Sequence, residues 1–179
     1  MAMLRKLGVS AVEVRTLLDL DAVQGLIIPG GESTSMAKLM DAYSLREPLM
    51  AFGRRGFPIW GTCAGMILLA DRLIEDRPEP LKLMDLVVHR NAFGRQVDSF
   101  ETDLMVKGLN GGPFRAVFIR APVVSEIGES ADVLSTLRDG SVVAVRQNFL
   151  LGTAFHPELT DDPRFHQYFL NMIEDYLES

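Results

Sequence analysis

The sequence predicts an α/β protein: a doubly wound, mainly parallel sheet flanked by helices, with an antiparallel extension. Three observations lead there. Short apolar, β-branched runs alternate with stretches of helical period in the first third of the chain and again at its end. Two of these runs stop in turns built from glycine, Pro29-Gly30-Gly31 and Gly61-Thr62-Cys63. The middle third breaks into closely spaced strand-like segments separated by turn residues, the pattern of an antiparallel or mixed addition. A length of 179 residues with 47% hydrophobic and 23% charged content suits one globular domain over residues 1–179.

Taken in order, residues 11–15 (Ala-Val-Glu-Val-Arg) read as a strand and residues 25–28 (Gly-Leu-Ile-Ile) as a second, ended by Pro29-Gly30-Gly31. Ser33 or Thr34 can cap the helix that follows, in which Met36, Leu39, Met40 and Tyr43 share one face and are expected to pack on the sheet. Residues 57–60 form a third strand. Residues 64–73 read as a helix whose near-continuous apolar sequence implies burial on most sides. Short strands follow at 86–89, 102–106, 116–119, 133–137 and 141–145, and a last one at 150–155. The terminal helix is expected over 163–177, with Asp162 as N-cap, Pro163 in the first helical position, and Phe165, Phe169, Met172, Ile173 and Tyr176 as its apolar stripe. Residues 75–80 are the best candidate loop. No internal repeat or linker is evident.

Charge and motifs exclude several classes of function. The 18 Lys and Arg against 24 Asp and Glu give a net charge of −6 with no basic run, so neither nucleic acid nor an anionic membrane is an expected partner. No apolar stretch approaches the ~20 residues of a membrane helix. Arg5 and Lys6 stand where a signal peptide would carry its apolar region, so the expected address is the cytoplasm. There is no metal-ligand spacing and no phosphate-binding glycine loop, so no metal and no cofactor are expected. The single cysteine, Cys63, excludes an internal disulfide.

Gly61-Thr62-Cys63-Ala64-Gly65, set between a strand and a buried helix, is the cysteine counterpart of a nucleophile elbow. Glycines two residues to either side permit a sharp turn. The thiol is then held at a helix N-terminus, where amide dipoles favour a thiolate, and the Ala64 N–H becomes an oxyanion donor. A lone cysteine in an apolar run is ordinarily core filling; the paired glycines argue for the nucleophile. Of the three histidines, His89, His156 and His166, His156 is better placed, because it ends the last strand, at the carboxyl edge where open α/β sheets build their sites. His166, inside the terminal helix, reads as a surface or packing residue. Glu158, two residues beyond His156 on an extended segment, faces the same side and can bond one ring nitrogen while the other faces Cys63. In the Pro29 to Ser33 turn, Gly30 or Gly31 can add a second oxyanion donor. Arg90, Arg95 and Arg120 are candidates for a carboxylate fork, though each, taken alone, is better explained as a surface arginine.

With these residues in place, the sequence resembles the class I (triad) glutamine amidotransferases, whose sheet is flavodoxin-like, and within them the glutaminase subunits of pyridoxal 5′-phosphate synthase. The similar segments are Gly-Leu-Ile-Ile-Pro-Gly-Gly-Glu-Ser (25 to 33), Gly-Thr-Cys-Ala-Gly (61 to 65), Arg-Asn-Ala-Phe-Gly-Arg-Gln (90 to 96), Phe-Ile-Arg-Ala-Pro (118 to 122) and Phe-His-Pro-Glu-Leu-Thr (155 to 160). The resemblance implies that Cys63 attacks the side-chain amide of L-glutamine, that His156 shuttles protons and that Glu158 orients His156. A γ-glutamyl thioester would form, releasing ammonia and then glutamate. It further implies that Gly31, Glu32, Ser33, Arg90, Ile119 and Arg120 hold the substrate. The ammonia would pass to a (β/α)8-barrel synthase partner in a large hetero-oligomer, for vitamin B6 biosynthesis, with docking as the activating event.

One departure stands at the N-terminus. Members of the family open with a strand and a Leu-Gln-Gly turn, whereas this chain begins with what looks like the end of the helix that follows. The first strand is therefore expected to be absent, with the true start upstream. Two other readings stay open at this stage: a triad amidotransferase serving another pathway, such as histidine synthesis, and a synthase-binding subunit inactive for want of that strand.

Overall fold

The computed structural model describes residues 1–90 and 99–179. Two short helices, α1 (Ala2–Lys6) and α2 (Leu17–Asp21), lead into it, the second held by a capping box in which Thr16 and Asp19 satisfy each other's backbone N–H groups. The chain continues through β1 (Leu26–Ile28), α3 (Ser33–Ala42), α4 (Arg46–Arg54), β2 (Ile59–Thr62), α5 (Ala64–Leu69) and β3 (Ala70–Leu73). Then come β4 (Met84–His89), β5 (Ser99–Leu104), β6 (Phe114–Ile119), β7 (Val123–Ile127), β8 (Asp132–Thr136), β9 (Val142–Gln147) and β10 (Leu150–Thr153). A 3-10 turn at Pro157–Leu159 precedes the terminal helix α6 (Arg164–Glu178).

The main sheet runs β1-β2-β10-β9-β7-β4-β3, with β8 added against β9, while β5 and β6 form a separate antiparallel pair. Parallel pairing joins β1, β2 and β10, and again β3 with β4; antiparallel ladders through β9 and β7 connect these blocks. The expected α/β class with an antiparallel extension is therefore what forms. Successive residues of β2 show why helices cover both faces. Trp60, fully buried, meets Phe165 and Phe169 of α6 at ring-centroid distances of 6.2 and 5.7 Å. Gly61, on the opposite face, lies against Gly65 of α5. Every residue of α5 is buried, and Phe114 and Phe155 extend the α6 cluster. Each large side chain so enclosed contributes about 1.5–3 kcal/mol.

Several expectations are corrected. Residues 11–15 form no strand, because no described strand pairs along the outer side of β1 to give them a ladder. The helix expected over 64–73 stops at Leu69, where Ala70 turns extended (ψ 156°) and residues 70–73 become β3, paired to β4. An apolar run is buried equally well as helix or strand, and here a strand partner took the second half. On α3 the cap is Glu32, whose carboxylate accepts the Thr34 and Ser35 N–H groups at 2.9 and 2.7 Å, instead of Ser33 or Thr34. That helix is also rotated from the expected face: Ser33 and Ala37 are buried with Met36 and Met40 beside them, while Leu39 and Tyr43 are exposed. Small residues let α3 lie close to α5. The strand expected at 57–60 lies two residues later, carrying Gly61 and Thr62 into the ladder. At the other end α6 starts at Arg164, with Pro163 in the capping position and Asp162 accepting the Arg164 N–H at 3.0 Å. The expectation did not include α2, α4 and β7.

Candidate active site

Register brings the three turns of the parallel block to one edge. Ile28 pairs with Gly61, and Thr62 with Thr153, so the segments leaving β1, β2 and β10 emerge side by side at the carboxyl ends of their strands. The Cys63 N–H donates to Thr153 O at 2.7 Å, tying the elbow to β10. Trp60 Nε1 donates to the Thr153 hydroxyl at 3.2 Å beneath it.

Cys63 holds φ 50°, ψ −103°, a strained conformation for a residue with a side chain. The flanking glycines make this possible through proximity. A Cβ on Gly65 would stand 2.0 Å from Ile28 O, and one on Gly61 2.4 Å from the Gly65 carbonyl carbon. The turn thus fits only where two backbones touch. Ala64 opens α5, so its N–H has no acceptor within the helix and is available at the thiol.

Beyond β10 the chain bends at Ala154 and Phe155 and reaches His156, whose N–H donates to Val117 O of β6 at 2.9 Å. Its side chain is 12% exposed, and its Nδ1–H donates to Glu158 Oε1 at 2.8 Å. The ring also neighbours the Cys63 sulfur; that interaction, and secondly the bond to Glu158, push the His156 imidazole up to about 10 against the opposing pull of burial. Burial raises the Glu158 carboxyl, but its bonds from His156 and from its own backbone N–H, with the charges of His156 and His166, leave it below the ordinary range. Cys63, His156 and Glu158 therefore form one connected chain. Gly30 touches the same ring, since a Cβ there would sit 2.3 Å from His156 Cε1.

The remaining candidates arrange around this chain. The Cys63 thiol lies 3.9 Å from Ile119 O, a contact of hydrogen-bond type with the end of β6, and Arg120 follows at φ 42° with its side chain exposed. Glu32, which caps α3, also pairs with Arg90, whose Nη2 stands 3.3 Å from Glu32 Oε1 and 3.2 Å from Thr34 Oγ1. Gly31 and Ser33 flank that pair in the turn after β1. Arg95 lies outside the described residues. His166 is a packing residue: it is buried, its ring stands edge-on to Trp60 at 5.1 Å, and burial pushes it below its usual range. Among the described residues no group of His, Cys, Asp and Glu is placed to hold a metal ion, and no helix is long and apolar enough to cross a membrane. The sequence alone did not point to Glu75, Arg77 and Thr34, which fix Arg90. A carboxylate fifteen residues before its target leaves no local signal.

Comparison with known proteins gives the family. The model of the SNO glutamine amidotransferase family matches residues 1–175. Pyridoxal 5′-phosphate synthase subunit PdxT of Dehalococcoides mccartyi is 57% identical over 176 residues, covering 97% of this chain and 90% of that protein. The protein of the same name from Herpetosiphon aurantiacus is 55% identical over 173 residues, covering 95% and 91%. A crystal structure of a glutamine amidotransferase superposes with a TM-score of 0.90 at 45% identity, covering 97% of this chain and 91% of the other. A glutamine amidotransferase from Thermotoga maritima, at 13% identity and a TM-score of 0.57 over 99% and 78%, shares the fold. A family model spanning nearly the whole chain, relatives above half identity and a cysteine elbow facing a His–Glu pair all agree, and the chain belongs to the SNO glutamine amidotransferase family.

Proposed function

We propose that this chain is the glutaminase subunit of a pyridoxal 5′-phosphate synthase, hydrolysing L-glutamine to L-glutamate and ammonia and passing the ammonia to a (β/α)8-barrel synthase subunit in a cytoplasmic hetero-oligomer. The observation that carries the chemistry is the His156–Glu158 bond at 2.8 Å on a ring that neighbours Cys63 at the strained elbow. The relatives' names support the choice of pathway.

In the proposed reaction the proton shared by Cys63 and His156 rests on the imidazole, and the Cys63 sulfur attacks the amide carbon of the glutamine side chain. Negative charge moves to the carbonyl oxygen, where the N–H groups of Ala64 and of the Gly30-Gly31 turn receive it. His156 returns its proton to the departing nitrogen as the C–N bond breaks, releasing ammonia and leaving a γ-glutamyl thioester on Cys63. Water, deprotonated by His156, attacks that thioester; the C–S bond breaks, glutamate leaves and the thiol is restored. Glu158 keeps the Nδ1 proton in place throughout, so that the other ring nitrogen alternates between base and acid. Gly31, Glu32 and Ser33, with Arg90, Ile119 and Arg120, hold the amino-acid end of the substrate.

The experiment is glutamate release from glutamine with and without the synthase subunit. The reading expects release that rises when that partner is present and that Cys63→Ala abolishes, with the variant still docking. Unchanged release by Cys63→Ala would overturn the nucleophile, and stimulation by another pathway's synthase instead would overturn the partner.

A further inference from the structure

The turn between β3 and β4 contains an acid that the proposed reaction does not use. We propose that Glu75 is a positioning residue for glutamine binding, acting through Arg90; this rests on the reading of Arg90 as a substrate-binding arginine. Both Glu75 carboxylate oxygens accept the Arg90 backbone N–H, at 3.0 and 3.2 Å, and His89 Nε2 lies 3.5 Å from the first of them. Glu75 is itself held in place. Leu73 pairs with Val88 in the parallel ladder, and the Ile74 N–H donates to Val88 O at 3.0 Å, so the carboxylate is aimed at the residue where β4 gives out. Its side chain is 28% exposed, enclosed enough for a charge-assisted bond to count.

What singles the contact out is the residue it fixes. The Arg90 guanidinium crosses from this turn to the start of α3, with Nη1 donating to Arg77 O at 2.6 Å and Nη2 to Glu32 and Thr34. It thus joins the β3–β4 turn to the Gly31-Glu32-Ser33 turn, with its Nε–H buried and without a partner among the described residues. A guanidinium held by several bonds presents its fork to a carboxylate in one direction only when its base is held still. Glu75 anchors that base from the backbone side, and Glu32 the head from the other. An acid serving only the strand end would make the same backbone bond at any residue. Here the bond falls on the one whose side chain reaches the substrate turn.

The test measures glutamine KM and kcat in the complex with the synthase subunit for the parent protein, Glu75→Gln, Glu75→Ala, Arg90→Gln and the Glu75→Ala/Arg90→Gln pair, with thermal melting of each. Glutamine affinity is read separately in a Cys63→Ala background by calorimetry. The expected result is a KM raised about tenfold by Glu75→Ala with kcat within about twofold. Glu75→Gln, which keeps an oxygen to accept the Arg90 N–H, should show a smaller rise, and the double variant should be no weaker in affinity than Arg90→Gln alone. Should Glu75→Ala fail to fold, Glu75→Gln carries the test through its KM. A raised KM for Arg90→Gln with an unchanged one for the Glu75 variants would overturn the role of Glu75 alone, as would losses that add in full in the double variant. An unchanged KM for Arg90→Gln would overturn the substrate-binding reading of Arg90 and the proposal with it.

Discussion

Replacing Glu158 by Gln keeps size and shape but removes the charge that His156 leans on. The carboxylate accepts Nδ1–H at 2.8 Å and also its own backbone N–H. An amide there keeps its oxygen on the backbone donor and turns its NH2 toward Nδ1, which then acts as acceptor. The ring proton moves to the nitrogen facing Cys63, and that nitrogen no longer accepts the thiol proton. In serine triads the same exchange of acid for amide lowers turnover roughly ten-thousandfold by imposing the wrong tautomer. A charge-assisted bond of this kind contributes about 1.5–3 kcal/mol, and the 41% exposure of the Glu158 side chain reduces that to ~1 kcal/mol after screening. His156, now at about 10, should therefore titrate about one unit lower in the variant. The assay is steady-state glutamate release with the synthase subunit, together with NMR titration of the imidazole. The expected loss in kcat is about 10²- to 10⁴-fold with KM little changed, and Glu158→Ala, which imposes no tautomer, should be less damaging than Glu158→Gln. Turnover within about twofold of the parent, or an alanine variant worse than the glutamine one, would refute the tautomer argument.

Other outcomes follow from the same geometry. Gly30→Ala places a methyl 2.3 Å from His156 Cε1, so the ring must swing from Cys63; activity should fall about 10²-fold while the melting temperature barely moves. Gly65→Ala instead drives a methyl to 2.0 Å from the Ile28 carbonyl oxygen, a backbone atom that cannot turn aside, and should cost about 1–3 kcal/mol in denaturant unfolding. Because the folded His156 is raised from 6.5 to about 10, its contribution to stability is complete below pH 6.5 and is lost as pH rises toward 10. Cys63→Ala removes the principal cause of that shift, so chemical denaturation should show a smaller alkaline decline for the variant. His166 has the opposite sign: burial lowers it, stability is lost as pH falls below its unfolded value, and His166→Phe should flatten the acid side of the profile.

Some of the site was legible because its constraints are local. The Gly-x-Cys-x-Gly spacing corresponds to real close approaches, of Gly61 to Gly65 and of Gly65 to Ile28, and to the positive φ of Cys63. The pairing of His156 with Glu158 is found at 2.8 Å, although the segment expected to be extended is a 3-10 turn over Pro157–Leu159 that carries Glu158 back to the ring. The α6 stripe followed from helical period, and Phe165, Phe169 and Met172 are indeed buried. Where the competing choices were locally equal, the sequence could not decide. Residues 70–73 suit a buried helix or strand alike, and pairing with β4 settled them. The exposed Leu39 and Tyr43 show that the apolar stripe of α3 was less decisive than the small Ser33 and Ala37, which allow approach to α5.

By itself, then, the sequence determined the α/β class, the strand-end turns and the order of the three chemical groups, because each rests on backbone conformations that a few neighbouring residues impose. Only the tertiary structure decided which turns meet. The parallel register of Ile28 with Gly61 and of Thr62 with Thr153 brings Gly30, Cys63 and His156 to one edge. The β3–β4 ladder likewise sets Glu75 against Arg90, fifteen residues on, and Arg90 against Glu32. Those meetings depend on sheet order and pairing, which are set by burying the whole core at once and not by any one segment.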